Sequence, residues 1–202
     1  AVLSAMRESS GYHISVKGGR FLEAVAKADT IVFDKTGTLT YATPTVAAVV
    51  PFGGHDEAEM LRLAACLEEH YPHSMANAVV AEAKRHGLTH EEYHSQVQYV
   101  VAHGISSMVE GKKVIIGSAH FVFEDEGCRI PEGEQPKFDA LRAAYSHLYL
   151  CMDGELAAVI CIHDPLRREA REAVKALHES GFTNVVMMTG DNRRTAEAVA
   201  AE

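Results

Sequence analysis

TIVFDKTGTLT, residues 30–40, joins a short apolar run to a polar turn. The first four residues are apolar or β-branched, a pattern that predicts a short buried strand. Asp34 comes directly after this run, and Lys35, Thr36 and Gly37 continue the chain as a polar loop. Ligands of open α/β sheets bind at the carboxyl ends of the strands, so we expect a functional carboxylate at Asp34.

A second strand with a polar loop at its end is predicted further along the chain. The apolar run NVVMM at residues 184–188 is followed at once by Thr189-Gly190-Asp191-Asn192, and a helix is expected from about Arg193. An amphipathic helix is predicted over residues 166–180, with Gly181 as its C-terminal cap. Residues 155–202 therefore predict strand, helix, strand, helix, the order typical of a parallel doubly wound sheet.

The middle of the chain predicts a different architecture, an antiparallel sheet with helices. Hairpin turns are indicated at Gly111 and at Asp153-Gly154, because Asp-Gly favours a two-residue turn. Helices are expected over 57–69 and 74–86, and short strands over 96–102, 105–110 and 113–116. We therefore predict a discontinuous first domain, residues 1–43 and 150–202, interrupted by an α+β domain of residues 44–149.

Composition limits the classes of function. The formal net charge of −9, without a basic patch, argues against a nucleic-acid partner. No stretch approaches the roughly 20 consecutive apolar residues that a membrane helix needs. The four cysteines fit no zinc-site spacing, and Cys151 and Cys161 lie in apolar runs typical of buried thiols. We expect no disulfides and a reducing compartment.

The chemistry predicted for Asp34 is phosphoryl transfer. A carboxylate at a strand end can attack phosphorus, backbone N–H groups near Gly37 can bind phosphate oxygens, and Mg²⁺ would reduce the repulsion between two anions. The alternative is that Asp34 only caps the following turn.

DKTGTLT, residues 34–40, resembles the phosphorylation signature of the P-type ATPases, which belong to the haloacid dehalogenase-like superfamily. The resemblance implies an aspartyl-phosphate on Asp34, Mg²⁺ held by Asp34 and the carbonyl of Thr36, and Lys35 near the phosphate. Phosphatases of this superfamily carry a second Asp at the place of Thr36, where it acts as an acid and base. Threonine cannot do so, which favours a long-lived phosphoenzyme over a soluble phosphatase, the alternative.

Two further motifs resemble the phosphorylation domain of that family. Thr189, Gly190 and Asp191 resemble its T-G-D motif, in which the threonine binds the phosphoryl group. Asp164-Pro165-Leu166-Arg167 resembles its D-P-x-R segment, which makes Asp164 and Arg167 possible site residues. Asp164 and Pro165 would also suit the start of a helix as N-cap and first residue.

A third motif indicates the heavy-metal-transporting subgroup. The segment at residues 73–78, HSMANA, resembles its H-P-x-A-x-A motif, which implies that His73 contacts adenine, although Ser74 replaces the usual proline and could itself cap the helix. The acidic residue facing the adenine amino group is Glu69, with Glu68 an equal candidate. Further nucleotide-binding residues implied by the resemblance are Gly104, Ser106 and Gly117.

The resemblance implies a Rossmann-like parallel phosphorylation domain, incomplete at its C-terminus, with an inserted α+β nucleotide-binding domain. The implied function is ATP- and Mg²⁺-dependent transport of a metal cation such as Cu, Zn or Cd, at the cytoplasmic face of a membrane reached through a parent protein. The family's G-D-G-x-N-D motif would lie beyond Glu202, so we expect this fragment to bind nucleotide with little turnover. A non-catalytic nucleotide sensor is the other alternative.

Overall fold

The computed structural model describes residues 2–70, 73–88, 94–100 and 104–202, with only the backbone described for 94–100. The chain forms two compact units: one contains the residues up to Lys35 together with Arg168–Met188, and the other contains Thr36–Arg167 and Thr189–Glu202. The helices are α1 (Val2–Gly11), α2 (Gly19–Val25), α3 (Glu57–Glu68), α4 (Ser74–Arg85), α5 (Gln135–Asp139), α6 (Ala170–Glu179) and α7 (Arg193–Ala200). The strands are β1 (Thr30–Asp34), β2 (Thr45–Pro51), β3 (His94–Val100), β4 (Gly104–Val109), β5 (Lys112–Gly117), β6 (Ser146–Met152), β7 (Glu155–His163) and β8 (Asn184–Met188).

The first unit is built on a parallel pair of strands. β1 pairs with β8 in register from Thr30 opposite Asn184 to Asp34 opposite Met188. Helix α6 precedes β8 and ends before Gly181, whose φ of 102° lies in the left-handed region that glycine tolerates. The backbone N–H of Phe182 then bonds to the carbonyl of Leu177, which closes the helix end. Both predicted strands and the predicted cap are confirmed.

The second unit is built on a six-stranded antiparallel sheet in the order β2-β7-β6-β5-β4-β3. The β4–β5 hairpin turns at Glu110 and Gly111, and the β6–β7 hairpin turns at Asp153 and Gly154, all four with positive φ. Two successive residues with positive φ give the turn whose twist matches that of paired strands. Both predicted hairpins are confirmed.

Each face of this sheet covers its own hydrophobic core because alternate side chains of a strand point in opposite directions. Leu148 and Leu150 of β6 pack with α3 and α4, which lie together on one face. Tyr149 and Cys151 pack on the other face against the aromatic side chains of Phe52 and Phe121. The second unit thus contains two continuous cores.

The assignment of residues 155–163 to the parallel sheet is wrong. Strand β7 pairs antiparallel with β2 on one side and β6 on the other, so it lies in the middle of the antiparallel sheet. A continuous apolar run suits a central strand of either kind of sheet, and its pattern cannot tell the two apart. The predicted α/β class with an inserted α+β unit is confirmed, whereas the domain boundaries at 43/44 and 149/150 stay a prediction.

Other expectations concern the membrane and the thiols. None of the helices among the described residues has both the length and the apolar character needed to span a bilayer. All four cysteines are buried, as expected for Cys151 and Cys161. The predicted strand over 96–102 corresponds to β3, and its last two residues lie outside the described residues.

Candidate functional site

Asp34 lies at the carboxyl end of β1, in the first unit. Its side chain is exposed, and its register partner is Met188, the last residue of β8, so both strands end at the same edge of the parallel pair. Lys35 follows and is buried, with 6% of its surface exposed. An exposed carboxylate at this edge is placed as expected for a residue that meets a ligand.

The loop after Asp34 belongs to the second unit and is shaped by one glycine and one buried threonine. Gly37 has φ 80°, a left-handed conformation that a side chain would strain. The Thr40 hydroxyl, 1% exposed, accepts a hydrogen bond from the backbone N–H of Gly37 at 3.2 Å. Thr40 therefore fixes the backbone of the Thr-Gly-Thr turn from within.

Asp164 and Arg167, which follow the end of β7, form hydrogen bonds with the same loop. The Thr40 hydroxyl donates to Asp164 Oδ2 at 2.6 Å. Arg167 donates from Nε to the carbonyl of Thr38 at 2.9 Å and from Nη2 to that of Gly37 at 3.3 Å. We refer to this set of contacts as the loop clasp. The structure thus places both predicted residues on the signature loop.

A cleft of about 490 Å³ lies elsewhere in the second unit. This volume falls in the usual range for small-molecule sites. The cleft brings together predicted residues that are far apart in sequence. Its lining consists of Glu68, His73, Met75, Gly104, Ile105, Gly117, Ser118, Ala119, His120, Ser146, His147, Leu148, Tyr149, Gly190, Asp191 and Asn192. Neither Glu69 nor Ser106 is among these residues, and their roles stay a prediction.

Glu68 and His73 form a polar pair in the wall of the cleft. His73, rather than Ser74, caps α4, because its Nδ1 accepts from the backbone N–H of Ala76 at 3.1 Å. The neutral ring then carries its proton on Nε2, which lies 3.4 Å from Glu68 Oε2. Glu68 Oε2 is buried and makes no bond of hydrogen-bond geometry with the described residues.

Burial shifts the pKa of both members of this pair. It raises the pKa of Glu68 to about 7 and lowers the pKa of His73, since in each case the charged form loses solvation. Near neutral pH, Glu68 is therefore partly protonated. A buried carboxyl beside an imidazole donor is suited to hydrogen-bond the edge of a flat heterocycle.

Gly104 lines the cleft and allows the close packing of β4 against its neighbours. A Cβ at this position would overlap the carbonyl oxygen of Ile116 and the ring of Phe121. The glycine is therefore required by the close approach of β5 and the Phe121 ring, whatever the ligand. Gly117, its register partner on β5, lines the cleft, and its role in nucleotide binding stays a prediction.

Gly190 and Asp191 of the T-G-D turn also line this cleft, whereas Thr189 is not among the lining residues. Within the turn, the Thr189 hydroxyl donates to Asp191 Oδ2 and accepts from the Asp191 backbone N–H, both at 3.1 Å. Ser146 donates to the other carboxylate oxygen, Oδ1, at 2.9 Å. Asn192 accepts from the backbone N–H of Thr195 and so caps α7.

Ser146 and His147 were missed by the sequence analysis. Burial lowers the pKa of His147, and its buried Nε2 has no partner of hydrogen-bond geometry among the described residues. Tyr149, whose pKa is raised by burial to about 12, lies with its hydroxyl 3.4 Å from His147 Nδ1. The signal that could have found His147 is a histidine inside the otherwise apolar strand HLYLCM.

Comparison with known proteins decides the family. Residues 28–202 match the haloacid dehalogenase-like hydrolases. The chain belongs to this family. It is 33% identical to the copper-exporting P-type ATPase of Bacillus subtilis over 100% of this chain and 25% of that protein. It is 35% identical to the silver exporting P-type ATPase of Salmonella typhimurium over 93% of this chain and 22% of that protein.

A solved structure agrees with these relatives. A crystal structure of a zinc-transporting PIB-type ATPase in the E2.Pi state matches with a TM-score of 0.66 at 30% identity, covering 100% of this chain and 32% of that one. The resemblance of this haloacid dehalogenase-like chain to heavy-metal P-type ATPases is confirmed. The chain spans about a quarter of the length of the curated relatives it matches.

Proposed function

We propose that this chain is the ATP-binding and phosphorylation region of a P-type ATPase that transports a soft or borderline metal cation. Asp34 would receive the γ-phosphoryl group of ATP, and the aspartyl-phosphate would drive transport through the membrane part of a longer parent protein at its cytoplasmic face. The observation that carries the proposal is an exposed carboxylate at the end of β1 with threonine, and no second acid, two residues later.

The chemistry of this segment supports a phosphoenzyme with a long lifetime. Attack of Asp34 on the γ-phosphorus forms the acyl-phosphate bond while the bond to the ADP oxygen breaks, and ADP leaves with the electron pair. Hydrolysis of the acyl-phosphate then needs an acid–base group near the attacking water. Thr36 has no such group, and losing one slows a proton-transfer step by about 10²–10⁴-fold.

The second unit supports nucleotide binding. Its cleft presents a buried Glu68 carboxyl and the His73 imidazole against apolar walls, which suits a purine ring with polar edges. Gly117 lines the same cleft.

The donor set near Asp34 suits Mg²⁺, a hard cation that prefers carboxylate and carbonyl oxygens. The carboxylate of Asp34 and the carbonyl of Thr36 would hold it, and Lys35 would lie near the phosphate. When bound, Mg²⁺ would neutralise charge on the phosphate oxygens. Thr189 would bind the transferred phosphoryl group.

The test is acid-stable labelling of the longer parent protein with ATP radiolabelled at the γ-phosphate. Asp34→Asn should reduce the label at least 100-fold, because the carboxamide cannot attack phosphorus. The matched control is Asp29→Asn, an exposed aspartate just before β1 whose carboxylate accepts a hydrogen bond from the neighbouring Thr30 hydroxyl. This control should label like the wild type. Undiminished label in Asp34→Asn would refute the proposed phosphoryl acceptor.

A further inference from the structure

Gly37 of the signature loop is held at both of its backbone groups. Its N–H donates to the Thr40 hydroxyl at 3.2 Å, and its carbonyl accepts from Arg167 Nη2 at 3.3 Å. Arg167 also donates from Nε to the carbonyl of Thr38 at 2.9 Å. Glycine is free to adopt either sign of φ, so Gly37, with φ 80°, is where the loop changes direction most easily. The loop clasp therefore fixes the loop at its most adaptable residue.

The same contacts set the direction of the Thr36 carbonyl, which would hold Mg²⁺. This carbonyl and the N–H of Gly37 belong to one trans peptide unit, so they point in opposite directions. The N–H is directed at the buried Thr40 hydroxyl, and the carbonyl is therefore turned away from Thr40. A loop that rotates at Gly37 would carry the Thr36 carbonyl out of this direction.

The guanidinium of Arg167 lies over the ring of Tyr41, with Cζ 5.2 Å from the ring centroid, a distance typical of a cation–π contact. Thr40 is bridged antiparallel to Leu166, so Tyr41 and Arg167 lie diagonally across this pairing, within reach of each other's long side chains. Thr40 is 1% exposed and Tyr41 is 39% exposed, as expected for successive residues that point to opposite faces. The contact therefore covers the clasp from its outer side.

The backbone of Tyr41 is held independently of its ring. Its N–H donates to the carbonyl of Pro165 at 3.2 Å, and the N–H of Arg167 donates to the carbonyl of Leu39 at 2.8 Å. Removing the ring leaves these bonds in place, so the ring acts on the Arg167 side chain. Arginine stacks on aromatic faces, and a ring against the guanidinium limits the rotation of this long side chain. The ring thus favours the conformation in which Nε and Nη2 reach the loop.

We propose that Tyr41 is a positioning residue that acts through Arg167. Its ring keeps the guanidinium on the two loop carbonyls and so holds the loop in the conformation in which Asp34 is phosphorylated. The inference rests on the proposed function and adds a residue outside the signature at residues 34–40. An exposed cation–π contact changes an equilibrium constant about two- to fivefold. Without the ring, the hydrogen bonds of Arg167 to the loop should open more often by this factor.

The first test measures the Arg167 side chain in this chain, without metal or nucleotide. NMR hydrogen exchange of the Arg167 Nε–H reports how often its bond to Thr38 opens. Tyr41→Leu should speed this exchange about two- to fivefold, and Tyr41→Phe, which keeps a ring, should leave it unchanged. The control Tyr12→Leu removes an exposed ring at the end of α1 and should also leave it unchanged. Unchanged exchange in Tyr41→Leu, or equal acceleration in Tyr41→Phe, would overturn the proposal.

The second test is the rate of acid-stable labelling of the longer parent protein. At saturating ATP, Tyr41→Leu should label about two- to fivefold more slowly, and Tyr41→Phe should label at the wild-type rate. The ATP concentration that gives half the maximal rate should not change, because Tyr41 is not among the described residues that line the cleft. Once Arg167 is replaced by alanine, Tyr41→Leu should have no further effect.

The outcomes separate this inference from the proposed function. A full additional effect of Tyr41→Leu in the alanine background would show that Tyr41 does not act through Arg167. A labelled wild type with an unaffected Tyr41→Leu variant would overturn the positioning role and leave the phosphorylation of Asp34 intact. A wild-type parent that forms no label would refute the proposed function and, with it, the role assigned to Tyr41.

Discussion

The two units of this chain differ sharply in how much apolar surface they bury. Among the described residues, every buried hydrophobic side chain lies between Val49 and Ile162, in the second unit. In the first unit, the strands leave Val32, Val186 and Met188 between 44% and 63% exposed, and α6 has no buried residue. Asp34, the proposed phosphoryl acceptor, lies in the weakly packed unit, and the proposed nucleotide cleft lies in the strongly packed one.

The difference follows from the two kinds of sheet. A parallel pair of strands becomes stable when helices cover both of its faces, and two strands alone cannot enclose a core. The six-stranded antiparallel sheet has one face covered by α3 and α4 and the other by a second core. We infer that the second unit supplies most of the folding stability. The first unit contributes little stability and mainly positions Asp34 at the end of β1.

The largest expected effect tests this contrast directly. Ile160→Ala, at a fully buried position of β7, should lower the free energy of unfolding by about 3–4 kcal/mol, because it removes buried methylenes and leaves a cavity. Val186→Ala on β8 should cost less than about 1 kcal/mol, since Val186 is 44% exposed. Urea denaturation of both variants measures the difference. Equal losses would show that the two units are packed equally well.

The second prediction concerns a buried acid that the well-packed unit contains. The folded pKa of Glu68 is raised to about 7 from 4.5, so its unfavourable contribution is absent below about pH 4.5 and develops as pH rises toward 7. Glu68→Gln should therefore be more stable than the wild type by up to about 3 kcal/mol at pH 8 and nearly equal to it at pH 4.5. Urea denaturation at both values provides the measurement, and a stability difference independent of pH would contradict the shifted pKa.

The smallest of the three effects contrasts two glycines. Gly104→Ala should lose about 2 kcal/mol of stability, because the added methyl group overlaps backbone and a packed ring. Gly11→Ala, the control, adds its methyl group at the end of α1, where nothing lies within 4 Å. It should change stability by less than about 1 kcal/mol. Thermal unfolding of the two variants is the measurement, and a tolerated Gly104→Ala would show that β4 can shift away from Phe121.

The sequence predicted the elements that carry strong local signals. The apolar runs at 30–33 and 184–188 became paired parallel strands, and the turns at Gly111 and Asp153-Gly154 became hairpins. These signals are local, so the elements they predict do not depend on how the rest of the chain folds. The sheet to which β7 belongs is a long-range property. The Asp-Gly turn before it already favoured antiparallel pairing with β6, and that signal outweighs the helix that follows.

The site was predicted less completely than the fold. Glu68 and Glu69 differ by one residue, about 100° around α3, and only Glu68 faces the core side together with Met60 and Ala64. Met60, Ala64 and Glu68 are spaced four residues apart, a pattern that the sequence shows directly. The contact of Ser146 with Asp191 could not be predicted, because these residues are close only after the sheet and α7 have packed. The loop clasp likewise joins Thr40 to a residue more than a hundred positions away.

The loop clasp also has an evolutionary consequence. Beside the clasp, Thr40 is bridged to Leu166, Tyr41 donates to the carbonyl of Pro165, and Arg167 donates to that of Leu39. The long segment between residues 41 and 165 therefore begins and ends at neighbouring positions in the structure. Closure entropy rises only slowly with length, so such a segment can grow, shrink or be exchanged without disturbing the backbone that hosts it. An inserted segment connected in this way is able to change in length and sequence while the backbone of the signature loop keeps its contacts.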